Sequence, residues 1–238
     1  MNIVITMAGL GSRFKKAGYT VPKYMIEAKE KTLFEWSLES LTGFDSSNPT
    51  YYFIVRKEDQ SKRFIDVMCA KRGISQYQVI EIDHITKGQA ETAMLAAGQW
   101  SSESPLLIYN IDTFVEPGEM CFSQLHGDGF IPCFKGLGDH WSFVRLDETG
   151  KVAEIREKKR ISDYCTIGAY YFKTASLFEM LYEELYVNTG YSEAGEQYVA
   201  PLYELLLHRG GEIFISEVPK DKVHVLGTPE ELEEFCEK

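Results

Sequence analysis

Basic charge is in short supply. The 238 residues carry 25 Lys and Arg against 36 Asp and Glu, a net charge of −11. Such a surface repels nucleic-acid backbones and anionic lipid, which excludes polymer and membrane-surface binding unless a local basic patch intervenes. Long apolar runs are missing too. The stretch around Pro105–Tyr109 falls far short of the ~18 residues a membrane span needs. The first nine residues have no basic lead-in, so they read as a strand and not as a secretory signal. Cysteine is sparse and poorly spaced. The five (Cys69, Cys121, Cys133, Cys165, Cys236) form no CxxC pair, their odd number argues against a disulfide framework, and the five His never fall at zinc-ligand spacing. A reduced cytosolic protein is expected. Neither Gly (19) nor Pro (8) is abundant enough for a disordered or collagen-like chain. At 44% hydrophobic residues, the length supports one sizeable core, with room for a smaller annex.

No repeat, low-complexity tract or linker divides the chain. Asn2–Met7, Tyr51–Arg56, Gln78–Ile82 and Leu106–Asn110 are strand-length β-rich runs. Helical spacing occupies Thr32–Leu41, opened by a Thr32…Glu35 capping box, then Gln60–Arg72 and Gln89–Trp100. This alternation predicts a parallel sheet covered by helices over the first ~115 residues. Further on, Asp147-Glu-Thr-Gly150 between Ser142–Leu146 and Lys151–Glu157 signals a hairpin. Strands are expected at Cys165–Lys173 and Glu212–Glu217. Helices are expected from about Ala175 to Tyr186, over Glu196–Arg209, and after Thr228-Pro229. One α/β domain emerges over 1–238, its first half (about 1–115) doubly wound and its second (about 116–238) mixed.

The most informative segment is Met7-Ala-Gly-Leu-Gly-Ser-Arg-Phe14, directly after the first strand. Ligands of open α/β sheets bind beyond the carboxyl ends of strands, where this loop lies. Gly9 and Gly11 let the backbone approach a phosphate and aim N–H groups at it. Residues 9–31 hold six Lys/Arg against two Glu, a net of +4 inside an acidic protein, which suits a small polyanion. A dinucleotide fingerprint requires a third glycine where Phe14 stands, and no P-loop string occurs. A tight turn followed by a solvated basic surface is the plain alternative.

Pro22-Lys23, ten residues beyond Arg13, turns the reading. With Gly9-Leu-Gly-Ser-Arg13 it resembles the signature of the sugar-phosphate nucleotidyltransferases, the nucleotide-sugar pyrophosphorylases that include glucose-1-phosphate thymidylyltransferase. The resemblance covers nearly the whole chain. Thr86-Lys-Gly-Gln-Ala90 is similar to the base-contacting loop, and Asn110-Ile-Asp112 to the metal-binding strand end. Glu157-Lys158 and Thr166-Ile-Gly-Ala-Tyr170 are similar to the sugar-phosphate half, and Gly227-Thr-Pro-Glu-Glu-Leu232 to the C-terminal segment.

The resemblance implies a Rossmann-like α/β fold of the nucleotide-diphospho-sugar transferase type, with a mixed, mainly parallel sheet flanked by helices. It implies transfer of a nucleoside monophosphate from a triphosphate to a phosphorylated sugar or polyol, with release of pyrophosphate. Ala8, Gly9, Gly11 and Ser12 would hold the triphosphate, Arg13 would neutralise its β/γ end, and Lys23 would stabilise charge at the α-phosphate. Gly88 and Gln89 would face base and ribose. Glu157, Lys158 and Gly168 would bind the acceptor, and Asp112 would hold Mg²⁺, which favours few carboxylates plus phosphate oxygens. The attacking phosphate oxygen is already anionic, so no general base is needed, and none is evident. Each residue also has a plainer use: a solvated Lys23, a loop-capping Asp112, helix-capping chemistry at Gly88, and a solvated charge run over Glu154–Arg160.

One departure stands out. The family commonly has a second metal-binding Asp two residues before the Gly of Gly-Thr-Pro, and here Val225 occupies it. Either one metal suffices, or a group such as Asp221 substitutes, or activity is lost. A glycosyltransferase using a nucleotide sugar and a non-catalytic nucleotide-binding relative are the competing expectations. Base, acceptor and oligomeric state stay open.

Overall fold

Leu106–Asn110 carries an unbroken apolar run because it is buried on both faces, and that pattern sets the architecture. The computed structural model describes residues 1–237; residue 238, the end of the expected acceptor half, lies outside them. The first half is built from β1 (Asn2–Thr6), α1 (Ser12–Lys16), β2 (Glu27–Ala28), β3 (Lys31–Thr32), α2 (Leu33–Glu39), β4 (Thr50–Arg56), α3 (Lys62–Arg72), β5 (Tyr77–Ile82), α4 (Gln89–Met94) and β6 (Leu106–Asn110). β6, β1, β4 and β5 lie side by side in parallel, with Thr6 level with both Ile54 and Asn110. Their side chains alternate between two cores. Val4, Tyr52, Ile54, Leu106 and Ile108 face one; Ile3, Ile5, Phe53, Leu107 and Tyr109 face the other. Burial on both sides is what parallel strands under covering helices require.

The second half consists of β7 (Thr113–Val115), β8 (Gly129–Lys135), β9 (Ser142–Leu146), β10 (Val152–Glu157), β11 (Tyr164–Thr166), β12 (Ala169–Phe172), α5 (Ala175–Tyr182), α6 (Ala200–His208), β13 (Ile213–Glu217), β14 (Val223–Val225) and α7 (Pro229–Glu237); β8 to β13 extend the same sheet, and β7 and β14 pair antiparallel in a separate two-stranded ribbon. β12 runs antiparallel to β6 and joins the halves, and the order across the ten-stranded sheet is β10-β9-β11-β8-β12-β6-β1-β4-β5, with β13 parallel to β8. The mixed, mainly parallel sheet expected from the sequence is present, and so are the Thr32 capping box and the β9–β10 hairpin.

Several boundaries differ from expectation. The strand expected over Cys165–Lys173 is two strands, broken at Ile167-Gly168, where the register against β8 slips by two residues. Gly168 takes φ +78° there, and a Cβ on it would lie 1.9 Å from Asn110 Oδ1, so only glycine fits. The helix expected over Gln89–Trp100 ends as α-helix at Met94 and goes on as turns, and that expected over Glu196–Arg209 begins at Ala200. β8 gave no strand signal because Pro132 interrupts it. Pro132 has no N–H to donate, and Ile167 in the break of the neighbouring strand donates to its carbonyl at 3.4 Å.

A third core ties the two chain ends together. Phe14, Ile26, Leu33, Phe114, Leu226, Leu232 and Phe235 pack as one cluster, with Trp36 edge-on to Phe235. α7 therefore clamps the segment after β1. Among the described residues, no helix is long and apolar enough to cross a membrane.

Candidate active site

The carboxyl ends of β1 and β6 open onto one cleft with two adjoining parts. The first, about 490 Å³, is lined by Ala8, Gly9, Lys23, Gly88 and Gln89. The second, about 230 Å³, is lined by Arg13, Trp141, Ser142, Glu157, Gly168 and Tyr170. Asn110, Asp112, Gln89 and Tyr198 line both, so the two parts meet at the end of β6.

Lys23 and Asp112 form the junction. Lys23 Nζ donates to Asp112 Oδ2 at 2.5 Å, with side chains 19% and 25% exposed. Burial alone would push the Asp112 carboxyl up; the adjacent ammonium charge and its hydrogen bond outweigh that and hold it below the usual carboxylate range. Lys23 reaches this place because Pro22, extended at ψ 142°, feeds the short turn Lys23–Met25, whose Tyr24 is buried.

The loop of Ala8 and Gly9 leads into α1 through Gly11, which adopts φ +60° and accepts the amide of Lys15 at 3.0 Å. Phe14, where a dinucleotide fingerprint would have glycine, is only 1% exposed and anchors the loop in the third core. The basic stretch is not all aimed at the cleft. Lys31 pairs with Glu39 at 2.6 Å and covers Trp36, and Lys29 lies over Phe235, so only Arg13 and Lys23 of the six cations line the cleft.

Ala8, Gly9, Lys23, Gly88, Gln89 and Asp112 come together in the larger part, and Arg13, Glu157 and Gly168 in the smaller. Arg13 thus lines the side expected for the acceptor. Gly11, Ser12 and Lys158 line neither part. Ser12 is exposed at the first position of α1, and Lys158 is turned onto Tyr198, donating to its hydroxyl with its ammonium 4.4 Å from the ring centre.

Gly88 sits at φ +150°, and a Cβ there would come within 2.6 Å of Gln197 O. Lys87 O and the Ala90 amide bond the two sides of Gln197's peptide, at 2.8 and 3.0 Å, fastening this loop to the entry of α6. Sequence reading missed Tyr198, Trp141, Ser142 and Glu231 as cleft residues. Only Glu231 had a signal, the capping pattern at the start of α7.

The surroundings of Asp112 suit a hard cation. Asn110 Oδ1 is buried with no hydrogen-bond partner. A Cβ at Gly227 would lie 3.2 Å from Asp112 Oδ2 and 3.5 Å from Glu231 Oε2, so the missing side chain leaves an open cradle between two carboxylates. The donors are all oxygen, as Mg²⁺ prefers. Among the described residues there is no cluster of three or more His, Cys, Asp or Glu able to hold a metal. Val225 lines this wall, whereas Asp221 lies at the other end of β14, so Asp221 does not replace the missing aspartate.

No protein-family model matches the chain, and no curated protein matches it. Solved structures do. The nucleoside-diphosphate-sugar pyrophosphorylase of Vibrio cholerae RC9 is 37% identical, with TM-score 0.91 over 99% of this chain and 100% of that one. The inositol-1-phosphate CTP transferase of T. maritima (15% identical, TM-score 0.78, covering 99% and 93%) shares the fold. So does a UDP-glucose pyrophosphorylase crystallised with UDP-glucose (15%, TM-score 0.75, 99% and 97%).

Proposed function

The chain belongs to the sugar-phosphate nucleotidyltransferases, the nucleoside-diphosphate-sugar pyrophosphorylases, and from that membership we propose that it joins a nucleoside triphosphate to a phosphorylated sugar or polyol and releases pyrophosphate. The carrying observation is the Lys23–Asp112 pair at the junction of the two halves of one cleft, where the phosphates of donor and acceptor must meet.

In this reading the triphosphate lies along Ala8 and Gly9, with the base toward Gly88 and Gln89. The acceptor occupies the part bounded by Glu157 and Gly168. Its phosphate oxygen attacks the α-phosphorus in line, and pyrophosphate leaves. Lys23 exchanges Asp112 for the α-phosphate and neutralises charge that grows in the transition state, the kind of contact that raises kcat. Arg13, in the smaller part beside the junction residue Asp112, offers a planar fork to phosphate oxygens. Holding both reactants in one cleft removes much of the entropic barrier of a two-substrate step. Mg²⁺, when bound, would be held by Asp112 with Glu231 opposite, and would supply charge neutralisation to the phosphates.

Five free cysteines, three of them buried, support a reducing cytosolic setting, and the product class supports a place in surface-polysaccharide or related synthesis. Family membership favours this reading over a glycosyltransferase. The decisive experiment is a pyrophosphate-release screen of nucleoside triphosphates against sugar phosphates and phosphorylated polyols with Mg²⁺. Release with one pair supports the reading. Tight nucleotide binding without release from any pair refutes it in favour of a non-catalytic relative.

A further inference from the structure

Glu157 closes β10, opposite Ser142 at the start of β9, and its Oε2 accepts a hydrogen bond from Ser142 Oγ. Ser142 Oγ is 3.2 Å from the Tyr170 hydroxyl, which is 3.0 Å from Thr166 Oγ1. The three hydroxyl residues are 7%, 5% and 4% exposed, so they must satisfy one another. Four strands each contribute one member. Thr166 and Tyr170 end a motif quoted from the sequence but were given no role of their own there, Ser142 was not singled out, and the transfer chemistry leaves all three hydroxyls without a task.

Proton counting gives the chain a direction. An ionised carboxylate can only accept, so the single hydroxyl proton of Ser142 goes to Glu157. Tyr170 must then donate to Ser142, and Thr166 to Tyr170. All three dipoles point toward the carboxylate and reinforce one another. We infer that Thr166, Tyr170 and Ser142 form a one-way hydroxyl chain that fixes one oxygen of Glu157 and presents the other to a hydroxyl of the acceptor, making them positioning residues for acceptor specificity. The inference rests on the transferase reading above.

Burial pushes the Glu157 carboxyl up; Ser142's hydrogen bond and the Lys158 charge pull it down, and Glu193 and Glu196 push it up again, leaving it above the ordinary range. Tyr170 and Tyr186 also face it, and His140 and Arg13 line the same part of the cleft. Ionised Glu157 is therefore lost as pH falls through a raised value, and acceptor affinity goes with it.

The test combines a carbon-13 NMR titration of the Glu157 carboxyl in the substrate-free protein with steady-state kinetics. Tyr170→Phe removes the middle donor, and Thr166→Val is a near-isosteric second variant should the first fold poorly. In both, the Glu157 titration should move to higher pH and the acidic limb of acceptor kcat/KM should move with it. Acceptor KM should rise about fivefold, the worth of one hydrogen bond, with kcat within about twofold and triphosphate KM unmoved. Ser142→Thr should restore what Ser142→Ala loses. A Glu157 titration identical in wild type and both variants overturns the chain. A shifted titration with unaltered acceptor KM overturns its role in specificity. A wild type that releases no pyrophosphate with any acceptor overturns the transferase reading instead, and the titration still decides the chain.

Discussion

Replacing Lys23 by Met keeps the aliphatic stem and deletes the charge, which isolates the Lys23–Asp112 pair. Removing one partner of a fully buried pair costs about 3–5 kcal/mol, whereas exposed pairs are worth about 0–1. With side chains 19% and 25% exposed, this pair lies between, and Lys23→Met should cost about 2 kcal/mol at pH 7. For a protein of this size that lowers Tm by about 4–8 °C. The loss should depend on pH with a definite sign. Asp112 is held below the ordinary range by Lys23, so in the wild type its stabilisation is full above the unfolded value of about 3.9 and fades as pH falls through the lower folded value. In the variant, burial is opposed only by the hydrogen bonds from Asp112's own amide and from Asn110, so the folded carboxyl rises. The deficit should therefore be largest at neutral pH and shrink toward pH 4 and below. Thermal unfolding of both proteins from pH 7 to pH 3.5 measures it. A deficit constant across that range would show lost packing, and no deficit at pH 7 would show that the pair is not formed. The variant should also lose ~10²–10³ in kcat with a smaller change in triphosphate KM.

Three further outcomes follow from the same geometry. Asp112→Asn should abolish Mg²⁺-dependent pyrophosphate release and, because it strands Lys23, also lower Tm by a few degrees; full activity would remove Asp112 from the site. Arg13→Ala should weaken triphosphate binding in calorimetry, more so as salt screens the remaining cation, while Arg13→Lys recovers part; unaltered affinity would place Arg13 with the acceptor alone. Gly168→Ala should cost at least about 3 kcal/mol in denaturant unfolding, combining a left-handed backbone with a Cβ driven into Asn110; a loss under about 1 kcal/mol would contradict the observed approach.

The sequence exposed the parallel half well, because strands buried on both faces are continuous apolar runs and the helices between them are amphipathic. Leu106–Asn110 was legible to the residue. β8 was not, since Pro132 violates the rule for an inner strand, and the break at Ile167-Gly168 that accommodates it is visible only when both strands are paired. The site divides the same way. Ala8, Gly9, Lys23, Gly88, Gln89 and Asp112 sit on loops, a short turn or a helix start with recognisable spacing, and they converge. Lys158 could not be placed from its charge, because Tyr198, forty residues away, decides where its side chain turns. Ser142 is an ordinary strand residue in the sequence, and the motif holding Thr166 and Tyr170 does not reveal that the three hydroxyls meet.

The third core has a consequence for how the molecule is made. Phe14 and Leu33, which seat the glycine loop and the segment bearing Lys23, find Leu232 and Phe235 only at the far end of the chain. Contacts of such long sequence separation form late, because the intervening chain must be closed first. During synthesis the strands β1, β4, β5 and β6 can assemble on the ribosome, yet the glycine loop stays unclamped until α7 has emerged. The cleft is thus completed after the sheet, and a nascent chain has a sheet before it has a site.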